Sequence, residues 1–187
     1  MTMVVLIILG ALLVAFLIFL IATYNNLVQL RQRLQNAWSQ VDVQLKRRYD
    51  LIPNLVATVQ GYAAHEKSTF EEIARVRNQA IAAKTVGEQS QAETMLSGAL
   101  RNLFAVAEAY PELKANTNFM QLQEELTNTE SKIAFSRQFY NDTVQKFNTS
   151  IELFPTNLVA GMLGFGSADY FTLQNEPEAR QTVQVKF

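Results

Sequence analysis

The chain has 187 residues, a formal net charge of −1, 49% hydrophobic residues and no cysteine. One domain is the default at this length, and the absence of cysteine excludes disulfides, thiolate metal sites and a cysteine nucleophile. The near-neutral charge argues against a general nucleic-acid binder, which would carry an excess of Lys and Arg.

The N-terminal stretch over residues 3–22 contains no charged side chain, and the first charged side chain of the chain is Arg31. About 20 residues form about 30 Å of helix, which matches the hydrocarbon thickness of a bilayer. A cleaved signal peptide is the weaker alternative, because no Lys or Arg precedes the stretch and its apolar part is too long. We therefore predict a retained transmembrane helix within residues 1–24, with Tyr24 at the membrane interface.

The basic residues that follow this helix predict its orientation. Arg31 and Arg33 lie within about 15 residues of its C-terminal end, and basic residues close to a span favour the cytoplasmic side. We expect an N-out, C-in orientation with the remaining chain in the cytoplasm. A translocated domain is the alternative, because two arginines are a modest signal.

A long helix is predicted to follow the transmembrane segment. Its apolar and aromatic residues recur every three or four positions in three consecutive 11-residue repeats, which is typical of a nearly straight helical seam. Pro53 lies within this pattern and removes one helical hydrogen bond. The apolar spacing nevertheless stays in phase from Tyr49 to Val56, so we expect only a local distortion of the helix. We favour one continuous helix with a local kink, and the alternative is a new helix capped by Asp50. The seam consists of Leu27, Leu30, Leu34, Trp38, Val41, Leu45, Tyr49, Ile52 and Val56.

A second helix is predicted from a capping-box pair. Ser68 and Glu71 have the required spacing, and the helical pattern ends near Ala83. Residues 85–89, which include a glycine, are predicted to form a turn.

Two further helices complete the pattern. The third is predicted to begin at another capping-box pair, Ser90 and Glu93, and to end before Pro111, because the residue before a proline resists the helical conformation. The fourth follows a spacing of three and four residues from Phe119 to Phe154 and ends at the proline that follows.

These elements predict an all-α protein. A transmembrane helix in residues 1–24 is followed by an elongated, antiparallel, coiled-coil-like helical bundle over residues 25–154 and by an irregular C-terminal tail over residues 155–187. The tail is rich in apolar, aromatic and glycine residues, and residues 182–187 alternate as a strand does. We expect this segment to pack in an extended form on its own bundle, and the alternative is that it pairs across a subunit interface.

No pattern of residues predicts catalysis, a metal site or a cofactor site. His65 is the only histidine, and without a second histidine or a cysteine a transition-metal site is not expected. We expect His65 to be exposed or to cap a helix. The neighbouring carboxylates at 71–72 and at 124–125 lie where helix surfaces are polar and do not converge as acid–base pairs do. The Gly164-Phe165-Gly166 segment lacks the strand and the spacing of a phosphate-binding loop.

One basic cluster, Lys46-Arg47-Arg48, stands out in the predicted first helix. We interpret it as a solvated face. The alternative is that it pairs with acidic surfaces of the bundle or of neighbouring copies.

Several segments together resemble one bacterial family. They are YNNLVQLR (residues 24–31), AWSQVDVQLKRRYDLIPNLV (37–56), GYAAHE (61–66), YPELKA (110–115), LQEEL (122–126) and the later Tyr140-Asn, Phe147-Asn and Phe154-Pro pairs. The set is similar to the LemA family over essentially the whole chain. The resemblance implies a short N-terminal tail, one helix in the bacterial cytoplasmic (inner) membrane and a long helical-bundle domain. The resemblance supplies no catalytic residues. Members of the family are linked to membrane-associated proteolysis, stress systems and magnetosome membrane formation.

We therefore expect a non-enzymatic, single-pass, membrane-anchored scaffold or adaptor that self-assembles and organises membrane or recruits membrane proteins. The alternative is an accessory or sensor subunit of a membrane protease or of a signalling or stress system. The expected partners are the lipid bilayer, further copies of the chain in a homo-oligomer, and a membrane protein. No nucleic acid, metal or cofactor is expected.

Overall fold

The computed structural model describes residues 1–172. Within that range the chain forms six helices and no strand, which confirms the all-α prediction of a long apolar N-terminal helix followed by further helices. The strand predicted over residues 182–187 lies outside the described residues. The helices are α1 (Thr2–Gln60), α2 (Lys67–Ala82), α3 (Val86–Glu108), α4 (Pro111–Lys114), α5 (Thr117–Glu152) and α6 (Thr156–Met162).

Helix α1 runs without a break through Pro53, as the preserved seam spacing predicts. Proline has no N–H to donate to the carbonyl of Tyr49, four residues earlier. The Nε of Arg77, on α2, donates to that carbonyl instead, at 2.7 Å. Pro53 itself is exposed, so its ring leaves the packed face of the helix undisturbed. The carbonyl therefore keeps a hydrogen-bond donor, and the helix continues to Gln60.

Helix α2 begins without a capping box. It starts at Lys67, and the preceding Glu66 makes no side-chain cap hydrogen bond. Ser68 lies inside the first turn with its side chain exposed. The predicted capping pair of Ser68 and Glu71 is therefore wrong, because an N-cap residue needs a non-helical backbone.

The capping box of α3 lies before the predicted one. Thr85 Oγ1 accepts a hydrogen bond from the N–H of Glu88 at 3.1 Å, and the Glu88 carboxylate accepts one from the N–H of Thr85 at 3.2 Å. These bonds satisfy the free donors of the first turn. The helix consequently starts inside residues 85–89, where we predicted a turn, and the capping pair of Ser90 and Glu93 is wrong.

The chain between α3 and α5 forms one extra turn of helix. Helix α3 ends at Glu108, ahead of Pro111 as predicted. Pro111 then occupies the first turn of α4, where an N–H is not needed. The side-chain oxygen of Asn116 accepts a hydrogen bond from the N–H of Phe119 at 3.0 Å and so caps α5, which extends to Glu152.

A short helix that the sequence did not predict, α6, opens the C-terminal tail. It follows Pro155 and buries Val159 and Ala160. Gly164 has a φ of +71°, a left-handed conformation that favours glycine. The N–H of Phe165 donates to the carbonyl of Ala160 at 3.0 Å, which closes the end of α6.

The described chain divides into two compact units. The first combines Met1–Ser39 with Phe139–Ala168, and the second combines Gln40–Gln138 with residues 169–172. Helices α1 and α5 contribute to both.

Each unit has its own buried core. In the first, the Trp38 ring meets the Tyr140 ring edge-on with 5.1 Å between centroids. The buried residues of this unit include Leu27, Ala37, Val144, Phe147, Val159 and Ala160. The second unit contains α2, α3 and α4 together with parts of α1 and α5. Its core includes Val41, Leu45, Ile52, Leu55 and Val59 of α1, Phe70, Ile73 and Val76 of α2, Leu96, Leu100 and Leu103 of α3, and Leu126 and Ile133 of α5.

Candidate functional site

The N-terminal part of α1 fits a membrane anchor. Within residues 1–172, α1 is the one helix long and apolar enough to cross a bilayer, and none of its most apolar stretch is buried. Its large apolar side chains from Met3 to Ile21 are exposed, except Phe19 and Leu20, which are partly exposed. A core helix of a soluble protein would bury at least one face. The expected transmembrane character is therefore supported by both the composition and the environment of this segment.

The end of this segment contacts the C-terminal tail within the first unit. The Tyr24 ring lies edge-on to the Phe165 ring, with 6.2 Å between centroids. The Arg31 guanidinium lies over the same ring, 5.2 Å from its centroid. The Asn148 side chain bonds both backbone groups of Ala168, accepting from its N–H at 2.8 Å and donating to its carbonyl at 3.0 Å. The tail is thus fixed against α1 and α5.

The second unit contains a buried polar network centred on Arg48. Its guanidinium donates to the Glu93 carboxylate at 2.7 Å and to the Ser97 hydroxyl at 3.0 Å. Its Nε lies 3.0 Å from a carboxylate oxygen of Glu130. The side chains of Arg48 and Glu93 are only 3% and 2% exposed. One arginine of α1 is therefore joined to α3 by a charged contact that water scarcely reaches, and to α5 by a contact with a partly exposed carboxylate.

Tyr49 and Gln89 supply the remaining hydrogen bonds to Glu93. The Tyr49 hydroxyl donates to the Glu93 carboxylate and accepts from the Gln89 amide nitrogen at 2.7 Å. The same nitrogen donates to Glu93 at 3.1 Å. Burial, reinforced by the negative charge of Glu93, raises the pKa of Tyr49 far above its usual value. Tyr49 is consequently held as a neutral donor.

Glu130 lies at the partly exposed edge of the network. Burial raises the pKa of its carboxyl, an effect that the positive charge of Arg48 opposes and the negative charge of Glu93 strengthens. Two cavities adjoin this edge, of about 240 and 180 Å³. Phe171 lines the smaller one and is buried, and the next residue accepts a hydrogen bond from the Ser90 hydroxyl through its carbonyl.

The chemistry of the network is that of a cross-link between helices. Glu93 accepts from Arg48, Tyr49 and Gln89, so its negative charge is fully solvated by protein donors. A neutral tyrosine and an ion-paired carboxylate are poor general bases at neutral pH. Among residues 1–172 there is no group of three or more His, Cys, Asp or Glu side chains arranged to hold a metal ion.

The other residues considered from the sequence lie apart from this network. His65 is exposed in the loop between α1 and α2. Glu72 forms an ion pair with Arg75 one turn along α2, at 2.7 Å. The remaining members of the two carboxylate pairs, Glu71, Glu124 and Glu125, lie on the helix surfaces, as expected from their positions, and Glu125 is partly covered.

The interpretation of the basic cluster as a solvated face is wrong for Arg48. Lys46 is exposed, and Arg47 pairs with Glu125 at the surface, whereas Arg48 is buried. The alternative, pairing with acidic groups of the bundle, describes both arginines. The sequence does contain a signal that Arg48 is buried, because Arg48 lies in a series of core residues spaced alternately by four and three positions. That series is Val41, Leu45, Arg48, Ile52, Leu55 and Val59.

Glu93 and Gln89 are buried polar residues of the network that the sequence did not predict: Glu93 was expected to be part of a helix cap, and Gln89 to lie in a turn. Both lie in a second series on the buried face of α3: Gln89, Glu93, Leu96, Leu100, Leu103 and Ala107. A charged residue at a core position of one helix predicts an oppositely charged residue at a core position of another.

Comparison with known proteins is consistent with these observations. Magnetosome protein MamQ 2 of Paramagnetospirillum magneticum is 28% identical over 184 residues, which cover 84% of this chain and 68% of the relative. MamQ of Magnetospirillum gryphiswaldense is 26% identical over 185 residues, covering 85% and 68%. Protein LemA of Metamycoplasma hominis is 30% identical over 144 residues, covering 74% and 64%.

These relatives and the anchor-like segment of α1 indicate a membrane-associated protein, and none of the relatives' names denotes an enzyme. The LemA family model matches residues 37–187, which include α2 to α6 and the bundle part of α1. The resemblance found in the sequence is confirmed: the chain belongs to the LemA family.

Proposed function

We propose that this protein is a non-enzymatic, single-pass, membrane-anchored scaffold or adaptor. It assembles with copies of itself and organises membrane or recruits membrane proteins. One observation carries the proposal: a single helix, α1, contains the unburied apolar segment and then residues that contribute to the core of the second unit. Anchoring and bundle formation thus belong to one continuous element.

The polar network supports a structural role for the second unit. Arg48 and Glu93 are paired, and Tyr49 is kept neutral by the burial that raises its pKa. These groups hold α1, α3 and α5 together and are not poised for proton transfer. A stable helical surface on a membrane anchor is what an adaptor requires.

We further propose that the anchor lies in the bacterial cytoplasmic membrane with the bundle in the cytoplasm. Arg31 and Arg33 follow the apolar segment and favour that side. Because the chain has no cysteine, a single-cysteine variant such as Asn36→Cys reports the orientation directly. A membrane-impermeant maleimide should label it only after the cells are permeabilised. Labelling in intact cells would overturn the cytoplasmic placement.

Photo-crosslinking in cells tests self-assembly against the recruitment of another subunit. A photoreactive phenylalanine derivative would replace one exposed apolar residue of the second unit at a time, and the buried Phe119 would be the matched control position. We expect adducts with the mass of two chains from the exposed positions and none from the control. Adducts with a different protein alone would contradict self-assembly and favour an accessory or sensor subunit. The exposed positions are Val43, Ile81 and Phe135.

A further inference from the structure

The segment that follows α5 exposes an unusual amount of apolar surface. Residues 153–168 contain no charged side chain. Val159 and Ala160 are buried, so α6 is attached through one side. The opposite side and the flanking residues form what we call the C-terminal apolar face. Its members are Leu153 (58% exposed), Phe154 (80%), Leu158 (59%), Met162 (84%) and Leu163 (52%).

This face is fixed beside the end of the apolar segment of α1. Phe165, two residues after Leu163, packs against Tyr24 with 6.2 Å between ring centroids. Tyr24 lies two residues beyond the uncharged stretch that ends at Ala22. Aromatic rings are enriched where a transmembrane helix leaves the hydrocarbon. With α1 as the anchor, this contact brings the end of the segment that carries the C-terminal apolar face to the membrane interface.

Arg31 marks the point on α1 where the uncharged region ends. Arg31 lies over the Phe165 ring, 5.2 Å from its centroid, and is the first charged side chain of the chain. From Tyr24 to Arg31 the helix rises about 10 Å. An arginine at that distance reaches the headgroups, while its apolar stem and the ring beneath it remain in the less polar layer.

The turn that presents the face is well defined. The N–H of Phe165 bonds the carbonyl of Ala160, Gly164 adopts the left-handed conformation, and Asn148 bonds both backbone groups of Ala168. The exposed apolar side chains are consequently held in place before any partner binds.

We propose that the C-terminal apolar face is a second membrane contact, which lies in the boundary between headgroups and acyl chains of the leaflet that α1 leaves. Its occupant is the lipid bilayer, because the face is uncharged and adjoins the membrane end of α1. Apolar side chains that would otherwise face water are buried there, as in interfacial helices. The inference rests on α1 being the anchor and goes beyond it.

Depth-dependent quenching in proteoliposomes tests this contact with the full chain. Single cysteines at Leu158→Cys and Met162→Cys carry an environment-sensitive NBD label, and the vesicles contain phosphatidylcholine and phosphatidylglycerol with a shallow or a deep doxyl lipid. Leu12→Cys, within the apolar segment, is the positive control. Asn36→Cys, on the same helix about 21 Å beyond Ala22, is the negative control. Circular dichroism verifies that each variant is helical.

We expect the labels at 158 and 162 to be quenched at least twofold more than the label at 36, and most strongly by the shallow doxyl lipid. The label at 12 should be quenched most strongly by the deep one. Quenching at 12 without quenching at 158 and 162 would overturn the second contact while the anchor stands. Absence of quenching at 12 would overturn the anchor as well. Labels at 158 and 162 that are shielded only at high protein-to-lipid ratios, without quenching, would identify a second copy as the occupant and overturn the proposal.

Discussion

The buried Arg48 links α1 to Glu93 of α3 and to Glu130 of α5. Its counter-charge at Glu93 is nearly inaccessible to water, whereas Glu130 is partly exposed. Replacing Glu93 by Gln leaves the guanidinium buried without a full compensating charge. Breaking a buried pair in this way costs about 3–5 kcal/mol. We expect Glu93→Gln to lower the free energy of unfolding of the helical bundle by that amount, measured by denaturant titration in detergent.

The surface pair next to it in sequence is the matched control. Arg47 and Glu125 are 48% and 37% exposed, and exposed pairs contribute about 0–1 kcal/mol. Arg47→Ala should therefore change the free energy of unfolding by less than about 1 kcal/mol. Equal losses from Glu93→Gln and Arg47→Ala would contradict the structural role assigned to the buried network.

Glu130 gives the network a dependence on pH. Burial raises the folded-state pKa of Glu130 above the ordinary value of 4.5, against the opposing charge of Arg48. Between 4.5 and that raised value the folded state binds more protons than the unfolded state, so the contribution of Glu130 to stability falls as pH rises. In Glu130→Gln this loss is absent. Unfolding measured from pH 4 to 7 should show the variant gaining stability relative to the natural chain, with exposed Glu124→Gln as the reference. A constant difference across that range would contradict the sign.

At the level of residues, the sequence predicted buried positions better than it predicted buried charges. Tyr49 is buried as its seam position predicts, yet its hydroxyl binds Glu93. The prediction of a solvated face is wrong for Arg48, because an arginine can be buried where it is paired. The partner lies 45 positions along the chain, and a single sequence does not show which distant residues meet.

At the scale of the helix, continuity through Pro53 depends on a donor from another helix. Arg77 donates to the Tyr49 carbonyl that proline leaves without its usual partner. We expect Arg77→Met to destabilise the bundle by about 1–3 kcal/mol, because a buried acceptor loses its hydrogen bond. In a Pro53→Ala background the backbone supplies an N–H again, so the same Arg77→Met change should be clearly less destabilising. Thermal unfolding of the four variants provides the double-mutant cycle. Strictly additive effects would contradict this explanation.

The start of α3 offers a second test at this scale. Thr85 is the N-cap of a capping box, whereas Ser68 lies within the first turn of α2 and caps nothing. Thr85→Ala should lower the free energy of unfolding by about 0.5–2 kcal/mol, and Ser68→Ala should leave it within about 0.5 kcal/mol. A larger loss from Ser68→Ala than from Thr85→Ala would show that the predicted cap, and not the observed one, stabilises the chain.

Helices could be predicted from the sequence where the pattern of apolar residues is long and regular. The residues at which the helices begin and end could not. Three consecutive repeats identified α1 through Pro53, although Leu55 and Val59 take the last core positions in place of Val56. Capping pairs with the same spacing occur several times in the chain, and spacing alone does not distinguish them. Helix α6 was not predicted because it has only seven residues, one of them Gly161, and so short a segment carries too little pattern.

At the scale of the whole molecule, the apolar segment was the feature that sequence predicted most directly. It is long, uncharged and apolar on all faces, and those properties do not depend on tertiary contacts. The contacts that hold the tail, from Asn148 to Ala168 and from Tyr24 to Phe165, depend on residues far apart in the chain. They became visible only in the folded structure.

The mass of the particle extracted in mild detergent tests the scaffold proposal most directly. Light scattering with separate accounting for detergent should give a protein mass of two or more copies of the 21.1 kDa chain. The number of copies should stay the same as the detergent concentration is raised. The Asn36→Cys variant, which alters an exposed position, should give the same mass. A strictly monomeric protein without a co-purifying partner would contradict the proposal that this membrane-anchored chain acts as a self-assembling scaffold.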